Sequence, residues 1–234
     1  MSVDRPVVLI TAASQGIGGA IATHLARYCT VVLLARSESI GKAAELLGGH
    51  GVQGSLTDPE SLERFVRIAV ERYGRIDALV NNTGHPAKGD MLSLTDADWQ
   101  QGFDLVLSSV IRLNRLVLPG MIERKRGAIV NISSYAAYKP EPERAISSIF
   151  RAALSAWTKV QAEYAAPHGV RVNSVLPGFV DSYPVEQATL DTIPLGRSGR
   201  LEELAKYVAF LLSDDASYIT GQNLLFDGGM VRGL

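Results

Sequence analysis

Sulfur chemistry is nearly absent from this chain: 234 residues hold one cysteine, Cys29. No intrachain disulfide framework is possible, nothing points to an oxidising compartment, and a buried, inert thiol is the expected state of Cys29. An excess of charge is lacking too, with 23 Lys and Arg against 24 Asp and Glu and a formal net charge of -1. That balance gives no global electrostatic reason to expect nucleic acid or an anionic membrane as partner. No apolar run reaches the roughly 18 residues that would suggest a membrane span. The opening "MSVDRPVVLITAAS" has no basic stretch followed by a long apolar core, so a cytoplasmic location is expected. Repeats, low-complexity segments and interdomain linkers are also missing. Pro140 and Pro184 read as loop residues inside one domain spanning 1–234.

What remains is a chain 47% hydrophobic and 20% charged, sufficient for a compact α/β core. Short runs rich in Val, Ile and Leu alternate with longer helical patterns. They are "PVVLIT" at 6–11, "TVVLLAR" at 30–36, "DALVNN" at 77–82, "AIVNIS" at 128–133, "VRVNSV" at 170–175 and "QNLLF" at 222–226, with a weaker strand near Val52. Strands that are apolar almost throughout are buried on both faces, as happens when parallel strands are covered by helices. The expected architecture is α/β: a Rossmann-like, doubly wound parallel sheet with helices on both faces.

The first strand runs into "TAASQGIGGAIATHLAR", where Gly16 and Gly18 precede a helix-compatible pattern. Glycine permits tight turning and close backbone approach, and free N–H groups at a helix start favour a phosphate or pyrophosphate. "NNTG" follows a later strand, "VRVNSVLPGFV" comes further on, and "DDASYITGQNLLFDGG" lies near the end. In order and spacing these motifs resemble the short-chain dehydrogenase/reductase family, with its TGxxxGIG and NNAG signatures, over essentially the whole sequence. Three positions depart from that pattern near the cofactor: Ala12 for the first glycine, Ser55 for an aspartate, and Thr83 for the alanine of NNAG. Ala12 is tolerable at negative φ and costly at positive φ.

The resemblance implies a nicotinamide cofactor held by Thr11, Ser14, Gln15, Gly16, Ile17 and Gly18 in the first turn. Arg36 and Ser37 follow the second strand and Leu56 the third; Asn82 and Gly84 come from NNTG, Arg151 from a later helix, and Pro177, Gly178 and Val180 from PGFV. Relatives that use NAD carry an acid where this chain has Ala35, and Arg36 beside it is suited to a 2′-phosphate. NADP(H) is therefore expected over NAD(H). No metal site is expected.

The same family places a Ser, a Tyr, a Lys four residues later and an Asn on the preceding helix around the reacting carbonyl. The Lys lowers the phenol pKa so that a proton can be exchanged near neutrality. Here the serine position is Ser134, but the count from it reaches Ser147 instead of Tyr and Arg151 instead of Lys, and the asparagine position holds Val106. Tyr135 and Lys139 form a literal YxxxK, yet Pro140 and Pro142 make that stretch a poor helix interior. His85, just after NNTG, and Tyr138, on the loop after Ser134, are the candidate replacement proton donors.

The leading expectation is thus an atypical NADP(H)-dependent oxidoreductase acting on a small carbonyl-type substrate without the usual Tyr/Lys pair. The alternatives are a non-redox lyase, isomerase or cyclase using Arg151 as an electrostatic anchor, or a catalytically silent nucleotide-binding subunit. Apolar residues Ile149, Phe150, Ala153, Leu154 and Trp157 follow helical spacing, and the matching family helix packs across subunits, which implies a homo-oligomer, dimer or tetramer. The short 182–195 segment, where relatives carry a substrate lid, argues against a large lipid-enclosing insertion.

Overall fold

The computed structural model describes residues 5–233. Its elements run β1 (Val7–Thr11), α1 (Gly16–Leu25), β2 (Thr30–Ala35), α2 (Ile40–Leu46), β3 (His50–Gln53), α3 (Pro59–Tyr73), β4 (Ala78–Asn81) and α4 (Asp96–Phe103). Then come α5 (Ser109–Glu123), β5 (Gly127–Ile132), α6 (Ala145–Ala165), β6 (Val170–Pro177), α7 (Gln187–Leu190), α8 (Leu201–Leu212) and β7 (Asn223–Phe226). All seven strands are parallel in one sheet ordered β3-β2-β1-β4-β5-β6-β7.

The near-continuous apolar strands are explained by two separate cores. Along β1 and β2, Val8, Ile10, Val31 and Leu33 pack with Ile21 of α1 and Leu204 and Val208 of α8. Their neighbours Val7, Leu9, Val32 and Leu34 point the other way, against Leu62 and Phe65 of α3 and Leu113 and Val117 of α5. Helix boundaries follow local chemistry. Asp58 accepts from the Glu60 and Ser61 amides, both at 3.2 Å, Pro59 opens α3, and Gly74 closes it at φ 75°.

A π-helical turn (Asp104–Ser108) joins α4 to α5, so that Asp96–Glu123 forms one 28-residue helix. By length and hydropathy alone that helix is long and apolar enough to cross a membrane. Its apolar stripe is nevertheless spent inside the protein: Leu113, Val117 and Met121 belong to the core beneath the sheet.

Because every strand is parallel, the turns after β1, β4, β5 and β6 gather along one carboxyl edge. Strand order reverses between β1 and β4, which is where a ligand crevice opens in a sheet of this kind. The two turns flanking it are stitched together: Thr11 Oγ1 donates to the Asn82 carbonyl at 2.6 Å and accepts from the Asn82 amide at 2.9 Å.

Candidate active and cofactor site

Ala12 has φ 47°, the left-handed conformation that disfavours a side chain, and Gly16 follows at φ 55°. The strained turn is braced by Asn82, whose Nδ2 donates to the Ala12 carbonyl at 3.2 Å. A Cβ at Gly18 would collide with that same carbonyl and stand 2.8 Å from Asn82 Nδ2, so glycine is required by the packing of α1 on the two turns. Among the described residues, no side-chain cap reaches the start of α1 and its first turn holds no acid. The amides that open the helix are therefore available to a pyrophosphate, and this end of the crevice fits one.

At the far end of β2, Ala35 is buried and Arg36 and Ser37 are exposed. The Arg36 carbonyl accepts from Gln53 Nε2 at 3.3 Å, while its guanidinium meets no carboxylate among the described residues. Ser37 Oγ pairs with Ser39 Oγ at 2.6 Å, and Leu56 is buried under the turn after β3. Pro177, Gly178 and Val180 lie at the end of β6, where the Gly178 amide donates to the Phe226 carbonyl at 2.9 Å.

Arg151 sits on α6 with 4% of its surface exposed and spans the ends of two strands. Nη1 donates to the Ile132 carbonyl and, at 3.2 Å, to that of Ser133; Nη2 donates to Thr83 Oγ1 at 3.1 Å and to the Gly84 carbonyl at 3.4 Å. Nε has no acceptor among the described residues. All four terminal N–H bonds are thus directed at uncharged protein acceptors, so a ribose hydroxyl would have to displace one of them or reach the buried Nε. Burial pushes the guanidinium down to about 10, still well above neutrality, so it stays charged without a carboxylate partner.

The other expected residues are less enclosed. Ser134 lies two residues past β5, and its Oγ accepts from the Ala136 amide at 3.2 Å, leaving its hydroxyl proton uncommitted. Ser147 is half-buried on the first turn of α6, one helical turn before Arg151. His85 and Tyr138 are both exposed. Partial burial of the imidazole, then Arg151, Arg144 and Lys88, lower the His85 pKa, so at neutral pH it is a proton acceptor more than a donor. Tyr135 is buried on a 3-10 turn (Tyr135–Ala137), donates to Glu141 Oε1 at 2.8 Å and is raised to about 12 by burial and that bond. It braces a loop; Lys139 is exposed, and the two are not on a shared α-helix.

Three features were not anticipated. Val106, at the expected asparagine position, is fully buried within the π-helical turn, a local widening that hydrophobic spacing does not reveal. Arg144 is held between Tyr135, Glu141 and Phe179. A buried polar chain runs behind the site: Asn81 Nδ2 donates to Asn114 and Asn131 Oδ1, each at 2.8 Å, and Asn131 Nδ2 to Thr158 Oγ1 at 2.9 Å. Asparagines inside otherwise apolar strand runs were the available signal for that chain. On α6, Leu154 is fully buried and Phe150 meets Trp99 edge-on and Phe103 at a tilt, leaving Ile149, Val160 and Tyr164 as the large exposed apolar residues of the helix.

A glycine turn feeding an uncapped helix at the switch point of a parallel sheet defines the class, a Rossmann fold with a helix start suited to a nucleotide phosphate. Residues 11–231 match the family model described as Enoyl-(Acyl carrier protein) reductase. The chain belongs to the short-chain dehydrogenase/reductase family, whose reductases use nicotinamide cofactors. It is 36% identical over 241 residues to the 3-oxoacyl-(acyl-carrier-protein) reductase FabG of Vibrio cholerae, covering 98% of this chain and 99% of that one. Against the FabG of Thermotoga maritima identity is 34% over 245 residues, covering 99% and 100%. The crystal structure of YwfH, described as an NADPH-dependent reductase involved in bacilysin biosynthesis, superposes with a TM-score of 0.93 at 26% identity, covering 98% of this chain and 100% of the other.

Proposed function

We propose that the chain, acting as one domain, is an NADP(H)-dependent reductase of a small carbonyl substrate that works without the Tyr/Lys pair usual in its family. The observation that carries the cofactor choice is the end of β2: a neutral Ala35 followed by an exposed Arg36 with no carboxylate partner among the described residues. The naming of YwfH as NADPH-dependent and of the FabG relatives as reductases supports the same reading. The amides opening α1 hold the pyrophosphate, and Arg36 with Ser37 holds the 2′-phosphate. When bound, the nicotinamide supplies the hydride. Ser134 Oγ–H polarises the carbonyl oxygen, and the proton comes from Ser134, Ser147 or Tyr138. A hydroxyl of Ser is a weaker acid than phenol, and a positioned general acid is worth about 10²- to 10⁴-fold, so turnover is expected to be slow relative to relatives with the full set.

One observation favours a second reading. Arg151 has spent its terminal N–H bonds on the protein, as a catalytically silent nucleotide-binding subunit would permit. A titration of the protein with NADPH and NADH, read by Trp fluorescence, for the wild type and Arg36→Ala, separates the branches. Preferential NADPH binding that is lost in the variant supports the cofactor assignment, and absence of binding by either nucleotide removes the reductase reading. NADPH bound without consumption across a carbonyl panel points to the silent subunit. We further propose cytoplasmic action as a homo-oligomer, with the exposed Ile149, Val160 and Tyr164 of α6 covered by a second copy.

A further inference from the structure

Arg144 stands just before α6, at the carboxyl edge of the sheet, and its guanidinium is fixed on three sides. Nη1 donates to Tyr135 Oη at 2.9 Å, Nε lies 3.3 Å from Glu141 Oε2, and the guanidinium carbon is 5.8 Å from the centre of the Phe179 ring. Nη2 has no partner among the described residues, and two-fifths of the side chain is exposed. A long side chain ordinarily loses much rotamer freedom on meeting a ligand; here the plane is already set, which favours recognition of a planar anion.

The surroundings bring this arginine to the substrate side of the crevice. Tyr135 follows Ser134 directly, and its ring lies 5.7 Å from that of Phe179, next to the Pro177 and Gly178 turn. Ile193, from the segment after α7, packs in the same cluster as Tyr135. The loop carrying His85 reaches over as well, with the Gly89 amide donating to the Glu143 carbonyl at 3.0 Å. Three cationic side chains converge on His85 in this corner. Arg151 is buried with only neutral acceptors, and Arg151, Arg144 and Lys88 all act on His85 without an opposing carboxylate. Glu141 is engaged by both Tyr135 and Arg144, so it offsets Arg144 in part and leaves Arg151 uncompensated.

We propose that the substrate of this cleft is an oxo acid whose carboxylate is bound by Arg144, on the substrate side of the crevice. The carbonyl half of that statement rests on the reductase reading above; the anion contact does not. A carboxylate added to an arginine already held in place gains charge-assisted hydrogen bonds, worth about ten- to a hundredfold in affinity.

The test uses matched pairs: 2-oxobutanoate, 3-oxobutanoate and 4-oxopentanoate, each against its methyl ester. NADPH oxidation gives KM, and calorimetry on the protein loaded with NADP⁺ gives binding without turnover. At least one acid is expected to show a KM or Kd about tenfold or more below its ester. That preference should collapse in Arg144→Gln and be reduced but not lost in Arg144→Lys, which keeps the charge without the fixed planar fork; methyl esters bound as well by Arg144→Gln as by the wild type would show that the loop is still folded. Acids that bind preferentially but are not reduced would leave the anion site standing and remove the reductase reading. Esters reduced as well as acids would do the reverse. An acid preference that survives in Arg144→Gln, or no binding or reduction of any acid, overturns the proposal.

Discussion

Arg151 Nη2 donates to Thr83 Oγ1 at 3.1 Å, bonding together two residues that each depart from the motif they occupy. Thr83 stands where NNAG has alanine, and Arg151 where the family resemblance calls for lysine. The hydroxyl that alanine would lack is an acceptor for the guanidinium that lysine would not supply. A double-mutant cycle of Thr83→Ala and Arg151→Lys should therefore be non-additive. Either single change strips buried partners and is expected to cost about 1–3 kcal/mol in urea unfolding, while the pair should cost less than the sum by about 1 kcal/mol. Strict additivity would show that the contact carries no energy.

If the site is a cofactor-binding reductase lacking only its proton donor, supplying one should raise the rate. Ser147 and Arg151 lie one turn apart on α6, the spacing a Tyr and Lys need to share a face. The triple variant Thr83→Ala, Ser147→Tyr, Arg151→Lys is expected to raise NADPH-dependent carbonyl reduction by about 10²- to 10⁴-fold, read at constant NADPH affinity. Ser147→Tyr alone should gain less, because Arg151 remains committed to the strand ends. A triple variant that folds, binds NADPH and gains nothing would locate the deficit elsewhere, with Val106 the next position to restore.

Ala12 offers a cleaner test of backbone strain. At φ 47° its Cβ costs about 1–2 kcal/mol, against which glycine loses about 0.5–1 kcal/mol through the freedom it adds to the unfolded chain. Ala12→Gly is thus expected to stabilise by about 0.5–1 kcal/mol, raising Tm by a few degrees in a chain of this size. An unchanged or lower Tm would mean that the Asn82 brace already absorbs the strain.

The fold was readable in the sequence because its information is local. Val and Ile runs of strand length and Gly16 and Gly18 at the first crossing each act over a few residues. The glycine turn at the crevice was legible for the same reason. What escaped was set by distance in space. Nothing near Arg151 in the chain announces Thr83, 68 positions away, and nothing near Arg144 announces Phe179. Spacing likewise identified Ser147 and Arg151 as one-turn neighbours without revealing that the guanidinium is consumed by carbonyls at the end of β5.

Acid should weaken the fold well before its carboxylates protonate. His24, His50 and His85 all have pKa values lowered from 6.5, first by burial. Nearby cations add to this: Arg27 and Lys206 at His24, Arg72 at His50, and Arg151, Arg144 and Lys88 at His85. Glu202 and Glu45 oppose weakly at the first two. The unfolded chain then binds protons that the native state refuses, so stability rises with pH across this window. It is fully present above the unfolded value of 6.5 and is lost as pH falls from there through the folded values. The lowered carboxylates Asp58, Asp98, Glu202 and Glu203 belong to a separate, more acidic window, which opens below their ordinary values of 3.8 and 4.5. Urea midpoints at pH 7.5, 6.5 and 5.5 should therefore decline in order, and His50→Gln should flatten part of the slope. A midpoint constant across that range would show that these imidazoles are free to protonate in the folded chain.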